Sequence, residues 1–334
     1  MDMKKIMLIM GIMLLMVMLN ACNKSITESS STESSSTVSM QEESTDMGPL
    51  TYIPEGCTYT IAETNIVLLE GEKFPDAPGK GDVYKTKDYT YTYYREQMSI
   101  LDEIKEPLEK WNVEVIDNRL TEYEPIMTYI CNEPVVSMYK TFKGCSKMKT
   151  APKIPSTVRD LRQTFYECRD LAVAPAIPDG VTDLEFTFYL CIAITEMPKI
   201  PDSVVNMNNT FDTCLHLTEV SGLPDSVISM RDTFAFCRRL EKVDKLPSGV
   251  IDMKGTFASC ENLKTVPYIP GTVENMELTF MSCTSLTGEI VIDANPSKYP
   301  ECFDGVDFAK QKLVLSGKSE MLEELKLTAS RTEN

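Results

Sequence analysis

The chain has 334 residues, of which 43% are hydrophobic, and carries a formal net charge of −17 with a single His. The length allows one large or two ordinary domains, and the hydrophobic content is sufficient to build a core. The negative charge argues against nucleic-acid binding and against electrostatic attraction to anionic lipid head groups.

Residues 1–21 contain the successive segments of a secretory signal peptide. Two Lys near the start precede an apolar stretch over Ile6–Leu19, which is too short for a membrane-spanning helix. The segment ends in the sequence LNAC, which resembles a bacterial lipobox and implies a membrane lipid anchor on Cys22. An ordinary secretory signal and a retained transmembrane anchor are the alternatives. All three place the rest of the chain outside the cytoplasm.

Residues 22–47 are rich in Ser, Thr and Glu and contain almost no apolar side chains. Such a composition cannot bury enough apolar surface to become ordered, so it predicts a disordered tether. A flexible segment of this length reaches about 25–30 Å on average. We interpret it as a spacer between the membrane and the body, with a remnant of processing as the alternative.

Residues 48–110 predict a small β-rich module. The sequence DYTYTYY alternates Tyr and Thr from residue 88 onward, which is typical of a strand with one aromatic face. Tyr89, Tyr91 and Tyr93 therefore line up on one side. They are either a platform on which a sugar stacks or the packed face of a small sheet.

Residues 111–136 predict the entry coil of a repeat structure. The sequence WNVEVID alternates apolar and polar side chains, so Trp111, Val113 and Val115 point to the same side. Terminal repeats are atypical because they must close the core.

Residues 137–288 contain seven copies of one phrase, a Thr-Phe pair followed by two residues and a Cys. The copies are 23 residues apart without insertion, and a fixed period of this size is typical of a solenoid. One coil cannot bury its apolar side chains alone, but stacked coils can. We therefore expect two structural ladders, one of Phe142, Phe165, Phe188, Phe211, Phe234, Phe257 and Phe280, and one of Cys145, Cys168, Cys191, Cys214, Cys237, Cys260 and Cys283.

Within one copy the apolar spacing predicts a strand near Leu217–Leu223 and a second near Val227–Met230. A Pro-Asp-Ser turn separates them, and a helical turn follows over Thr233–Cys237. The fold class predicted is an α/β-type solenoid of mainly short parallel strands with helical turns, preceded by the small β-rich module.

These copies resemble the BspA-like leucine-rich repeats of bacterial surface proteins, whose phrase also runs Phe-x-x-Cys-x-x-Leu-x-x-Ile-x-x-Pro. The resemblance covers Val135 to about Ile292 and continues more loosely into the tail. It implies a non-enzymatic leucine-rich repeat protein at the bacterial cell surface that functions in protein binding or adhesion. Tyr-rich leaders precede the repeats of related lipoproteins, which fits residues 48–110.

Residues 289–334 predict a C-terminal cap. Strands are expected at Glu289–Ile292 and Leu313–Leu315, followed by an amphipathic helix over Glu320–Thr328. Ser319 is a suitable N-cap for that helix.

The pattern of the cysteines predicts that their side chains pack in the core and take no part in catalysis or metal binding. A buried Cys behaves as a small hydrophobe, and a bridge between two coils would distort a uniform stack, so we expect reduced thiols in the ladder. The pairing of Cys57, Cys131 and Cys302 stays open. His216, the only His, lies two residues from Cys214 without a partner motif, and one Cys per copy does not converge on a metal. The sequence predicts no catalytic residue, metal or cofactor.

Polar residues follow the Leu-like position of each copy and vary between copies. In register they form a stripe, with Glu196, Glu219, Lys242 and Thr265 as candidate binding residues. An ordinary solvated face is the alternative. The expected partner is a protein or glycan on host or neighbouring cells. A carbohydrate-binding accessory protein acting through the Tyr-rich module is the alternative function.

Overall fold

The structure is a computed structural model that describes residues 50–97 and 107–329. All of these belong to one compact unit, Asp46–Asn334. The unit consists of a seven-stranded sheet that continues into a stack of short coils. The predicted signal peptide, the tether and Cys22 lie outside the described residues.

The sheet has the strand order β2-β1-β3-β4-β5-β7-β6, and all neighbours are antiparallel except β5 and β7. The longest pairing joins β4 to β5 along nine residues of each strand. The strands are β1 (Thr58–Ile61), β2 (Ile66–Leu68), β3 (Val83–Lys85), β4 (Tyr89–Gln97), β5 (Pro107–Val115), β6 (Tyr129–Ile130) and β7 (Glu133–Ser137).

The predicted strand in DYTYTYY is confirmed as β4, and its partner β5 carries the alternating apolar residues of the entry coil. Trp111 and Val113 are fully buried in β5. Because β5 pairs with β7 in parallel, the sheet leads directly into the coils. β5 runs across the domain limit that the sequence places at residue 110. The domain limits themselves stay predictions.

The coils stack so that the repeated Phe rings lie over one another. We call the stretch from one ladder Phe to the next a rung, and number the rungs from Phe142. Consecutive ring centroids are 5.2–5.9 Å apart, with planes within 19° of parallel. Phe303 adds an eighth ring that the sequence analysis did not predict, and Phe308 closes the stack edge-on. This distance between ring centroids is larger than the roughly 4.8 Å between hydrogen-bonded strands.

Two polar ladders run beside the rings and hold neighbouring rungs together. From Thr187 to Thr279, the Thr before each Phe donates its hydroxyl to a carbonyl of the preceding rung, as Thr233 does to Met207 at 2.8 Å. The Cys thiol donates likewise, as Cys237 does to the Phe211 carbonyl at 3.2 Å. These bonds satisfy buried carbonyls that a purely apolar column would leave unpaired.

The structure has no helix at the predicted helical turn over Thr233–Cys237. Asp232 and Phe236 have φ values of 50° and 58°, and such left-handed residues interrupt a right-handed helix. The chain makes consecutive tight turns instead, in which the Cys237 N–H donates to the Phe234 carbonyl at 3.1 Å. The same two positions are left-handed in every rung: Lys140 and Gly144, Gln163 and Glu167, Phe186 and Leu190, Asn209 and Thr213, Gly255 and Ser259, Leu278 and Ser282, and Glu301 and Gly305.

The strands within the coils are shorter than predicted. Only β8 (Glu219–Val220) and β9 (Lys242–Val243) form a two-stranded parallel pair in the expected first-strand position. Pro at the corresponding position of other rungs cannot donate to a strand ladder, which keeps pairing to single bridges. The expected second strand is likewise a row of single parallel bridges, each joining residues 23 apart, along Asp160, Asp183, Asn206, Ser229, Asp252 and Asn275.

The C-terminal cap contains β10 (Gly288–Val291), α1 (Phe308–Gln311), β11 (Leu313–Ser316) and α2 (Leu322–Leu327). Both predicted strands are confirmed and pair in parallel. The N-cap of α2 is Met321 rather than Ser319, whose hydroxyl accepts a hydrogen bond from the Met321 N–H at 3.1 Å. Within the described ranges, no helix has the length and apolar content needed to cross a bilayer.

Ser259→Gly is expected to stabilise the protein by about 0.5–1 kcal/mol. Ser259 has a φ of 58°, a conformation that is strained for any residue with a Cβ and relaxed for Gly. Urea denaturation followed by far-UV circular dichroism measures the difference. Ser146→Gly is the control, because Ser146 has ordinary backbone geometry and should lose rather than gain stability. A loss at both positions would contradict the strain argument.

Candidate functional site

The candidate site is the row of exposed side chains that follows the buried Leu-like residue of each rung. We call it the strand face, and it consists of residues 149–153, 172–176, 195–199, 218–222, 241–245 and 264–268. Its position on the coils follows a three-residue spacing: Leu217 and Val220 are buried while Thr218 and Glu219 between them are exposed. The predicted stripe residues Glu196, Glu219, Lys242 and Thr265 all lie on this face and are exposed.

In rungs 4–6 the charged side chains of the strand face pair with each other. The Lys242 ammonium lies 3.0 Å from the Glu219 carboxylate of the preceding rung and also contacts Asp244. Lys245 binds Asp225 at 2.8 Å, and its hydrogen bonds lower the pKa of that carboxyl to about 2. These contacts leave the charges of rungs 4–6 largely neutralised by their own neighbours.

In rungs 1–3 the strand face instead carries exposed apolar residues and Lys side chains that are unpaired among the described residues. Three Lys side chains, Lys149, Lys153 and Lys199, are exposed and form no ion pair within the described part of the chain. Between them Val173 is 71% exposed. We call the apolar residues around Val173 the apolar patch, and it consists of Ala151, Pro152, Ala172, Val173, Ala174, Pro175, Ala176, Met197 and Pro198, all exposed or half-buried.

Two shallow depressions open at the edge of the apolar patch. The larger has a volume of about 500 Å³ and is lined by Ala174, Ala176, Pro198 and Lys199 among others. The smaller, of about 210 Å³, shares Ala176 with it and includes Lys153. Together they make this part of the strand face concave enough to accept a side chain.

The three Tyr of the predicted sugar platform are packed inside the protein. Tyr89 and Tyr91 are fully buried, and Tyr93 is 6% exposed. Tyr89 contacts Phe142 edge-on at 6.2 Å, and Tyr93 packs on Trp111 at 5.2 Å. A sugar needs an open ring face, so this arrangement contradicts a binding role for these Tyr and agrees with the packed-face alternative. Burial also raises the phenol pKa values of Tyr89 and Tyr91.

The ladder thiols are buried and unsuited to chemistry. The ten described Cys are free thiols, and Cys57 alone among them is not fully buried. Burial raises the pKa of Cys145 to about 11 and that of the deeper ladder thiols further, which suppresses the reactive thiolate. Cys302 lies 23 residues after Thr279, so it extends the Thr column rather than the Cys column. Its N–H donates to Tyr299 at 3.2 Å.

The other groups weighed for catalysis stay apart. His216 is half-buried, while Cys214 beside it is fully buried in the column. Among the described residues no three His, Cys, Asp or Glu side chains form a cluster that could hold a metal ion. A polar cleft of about 650 Å³ lies between residues 114–119 and residues 140–143, with Lys140 and Lys143 at its wall.

Asp212 is a buried carboxyl that sequence reasoning missed, since nothing in its local pattern differs from an exposed turn residue. It forms no ion pair within the described ranges, and accepts hydrogen bonds from the Thr213 hydroxyl at 2.8 Å and the Asn209 amide at 3.2 Å. Burial raises its pKa to about 7 despite those bonds, and the charge of Asp232 adds to the effect.

Asp212→Asn is expected to stabilise the protein at pH 8 by an amount on the order of 2 kcal/mol, and much less at pH 4.5. The folded state retains the Asp212 proton up to about pH 7, whereas the unfolded chain releases it near pH 4, so the native protein loses stability between those values. Thermal unfolding at both pH values measures the difference between variant and parent.

The matched control for that prediction is Asp225→Asn. The pKa of Asp225 is lowered to about 2, so its contribution is present above pH 4 and is lost only as the pH falls below that. The control should not stabilise at pH 8. An Asp212→Asn gain that is equal at pH 4.5 and pH 8 would contradict a raised pKa.

The comparison with protein families identifies the repeat. The model of the BspA type leucine rich repeat region matches residues 136–245 and 184–307, with six copies. A leucine-rich repeat protein from Bacteroides ovatus has a similar crystal structure, with 26% identity and a TM-score of 0.48 over 69% of this chain. The chain spans 57% of that protein. No curated protein matches the chain.

Two further crystal structures are similar at lower identity. The Treponema pallidum leucine rich repeat protein is 20% identical with a TM-score of 0.44, covering 72% of this chain and 94% of its own. A leucine rich cell surface protein from Faecalibacterium prausnitzii is 22% identical with a TM-score of 0.45, covering 65% of this chain and 55% of its own.

Proposed function

Because the chain belongs to the BspA-type leucine-rich repeat family, we propose that it is a non-enzymatic protein that binds other proteins through its strand face. The strand face carries this proposal. Its exposed residues differ from rung to rung, while the Phe, Thr and Cys beneath them repeat. Repeat proteins use such extended surfaces to bind partners.

The proposal includes display at the bacterial cell surface, with a lipid on Cys22 as the membrane anchor and residues 22–47 as the spacer. The support is the order of segments in the sequence: a positive start, an apolar stretch, LNAC and a Ser-rich tether. A protein held in this way meets partners on host or neighbouring cells, which suits a role in adhesion.

The binding proposal is tested with the full chain, purified in mild detergent, on an array of host matrix proteins and bacterial surface proteins. We expect binding to at least one of them, lost when Thr150, Glu219 and Thr265 are replaced together by Arg. These changes place bulky side chains along the strand face. The control replaces Asp202 and Glu274 by Arg, since both are exposed on other surfaces of the coils. Binding that survives the first set, or no binding at all, would overturn the proposal.

Cys22→Ala is expected to abolish incorporation of labelled palmitate and to release the protein from the membrane fraction. The reason is that the thiol of Cys22 is the atom to which the lipid would be attached. Metabolic labelling followed by cell fractionation measures both effects. Cys57→Ala is the control and should retain the label. An unlabelled wild-type chain in the culture medium would favour an ordinary secretory signal instead.

A further inference from the structure

One stretch of this acidic protein is rich in basic side chains. Residues 136–163 contain seven Lys and Arg but a single Asp, while the whole chain carries −17. Lys149 and Lys153 belong to this group and border the apolar patch, with Lys199 two rungs further on. The strand face of rungs 1–3 is therefore locally positive, whereas the molecule as a whole is negative.

The pairing of these Lys distinguishes them from those of rungs 4–6. Lys153 and Lys199 occupy the same place in their rungs as Lys245, because the three are 46 residues apart in succession. Lys245 binds Asp225 at 2.8 Å, whereas neither of the other two has a carboxylate partner within the described ranges. An unpaired Lys beside apolar surface is free to bind a carboxylate from another molecule.

The backbone of the apolar patch makes its surface less polar, because three Pro residues lack an N–H group. Pro152, Pro175 and Pro198 stand at the same position in three consecutive rungs and cannot donate hydrogen bonds. Ala and Val fill the positions beside them, and Val173 is the most exposed large apolar side chain of the described chain at 71%. Contiguous exposed apolar surface with a charged border is typical of a protein interaction site.

We propose that the apolar patch, bordered by Lys149, Lys153 and Lys199, binds an acidic segment of a partner protein in which carboxylates flank an apolar side chain. The inference rests on the proposed binding function and narrows it to rungs 1–3. The apolar side chain covers Val173 and enters the depression beside Ala176, and the carboxylates bind the Lys ammonium groups.

Two acidic side chains at the margin of the patch define the register of such a segment. Glu196 and Asp179 are exposed there and form no ion pair within the described part of the chain. They repel carboxylates, so the acidic residues of the partner are directed away from them and towards Lys149, Lys153 and Lys199. A second copy of this chain is disfavoured as the occupant because both molecules carry −17.

The test selects peptides from a displayed library of random dodecapeptides on the full chain in mild detergent. The expected peptides are rich in Asp and Glu around Leu, Ile, Val or Phe. They should bind more weakly as NaCl is raised from about 50 to 500 mM, because exposed ion pairs are screened. Val173→Asp and Lys153→Glu should each weaken binding about tenfold or more.

Matched variants control for general effects of the new charges. Val314→Asp changes another exposed Val, 54% exposed on β11, and Lys310→Glu changes an exposed Lys of α1, outside the strand face. Both should bind within about twofold of wild type. Circular dichroism of the four variants checks that each is folded.

The remaining outcomes contradict the proposal in different ways. Enrichment of basic or uncharged peptides, or equal binding to the Val173 variant, overturns the proposal. A dimer in sedimentation that Val173→Asp dissociates assigns the patch to a second copy instead. Array partners that bind all rung 1–3 variants normally leave the proposed function intact and remove this inference alone.

Discussion

Phe211→Ala is expected to lower the free energy of unfolding by about 3–5 kcal/mol, because it removes a large ring from the middle of a close-packed column. Phe211 is fully buried, with ring neighbours Phe188 at 5.4 Å and Phe234 at 5.8 Å. Neither neighbour can move into the space without losing its own stacking partner. Urea denaturation followed by far-UV circular dichroism measures the loss.

The control for the ring column is Tyr268→Ala. Tyr268 is 50% exposed at the edge of rung 6, so its removal opens no cavity and should change stability by less than about 0.5 kcal/mol. Equal losses for the two variants would show that the stacked rings contribute little beyond surface packing.

Asp160→Asn is expected to lower the free energy of unfolding by about 3–5 kcal/mol, because it removes the carboxylate that opposes a buried cation. The Lys110 and Asp160 side chains are each 1% exposed and lie 3.6 Å apart. Arg162 also binds Asp160 through two hydrogen bonds of 3.0 Å. The pair lies where β5 of the sheet meets rung 1, so its loss should loosen the start of the solenoid.

The pH dependence of this pair has a definite sign. Burial alone would raise the pKa of Asp160, but the hydrogen bonds and charge of Arg162 and the charge of Lys110 lower it overall. A lowered pKa means that the stabilisation is present above about pH 4 and is lost as the pH falls further. Denaturation of the parent and of Asp160→Asn at pH 7 and pH 3 should therefore differ less at the acidic value.

The double variant Lys110→Met/Asp160→Asn distinguishes charge from packing. Met retains the apolar stem of Lys110 without its charge, so the double variant should regain most of the lost stability. If it is as unstable as Asp160→Asn alone, the hydrogen bonds of Asp160 rather than the buried ion pair carry the effect.

The ladders could be predicted from the sequence because their physical cause is local and repeated. A Phe and a Cys at one spacing in seven copies leave stacking as the simplest way to bury them, and the structure buries all fourteen. Phe303 was missed because Val306 replaces the Cys of the phrase three residues later.

The turns and the apolar patch could not be predicted in the same way. Left-handed geometry is usually inferred from Gly, yet the corners hold residues such as Phe186 and Leu278, which the stacked neighbours force into that conformation. The stripe Glu196 to Thr265 was identified by its polarity. Val173 was missed because its exposure depends on the register of adjacent rungs, and apolar residues in a short run are usually assigned to the core.

The hydrogen bonds between rungs imply that this protein can change its length in whole steps. The Thr and Cys side chains of one rung donate to the rung before it, as Thr233 does to Met207. Duplication or deletion of one 23-residue copy by recombination would therefore restore the same contacts at the junction and leave both end structures as they are. Each event would extend or shorten the column by roughly one ring spacing of 5.2–5.9 Å. The length of the strand face could therefore evolve in small equal steps to match partners of different size.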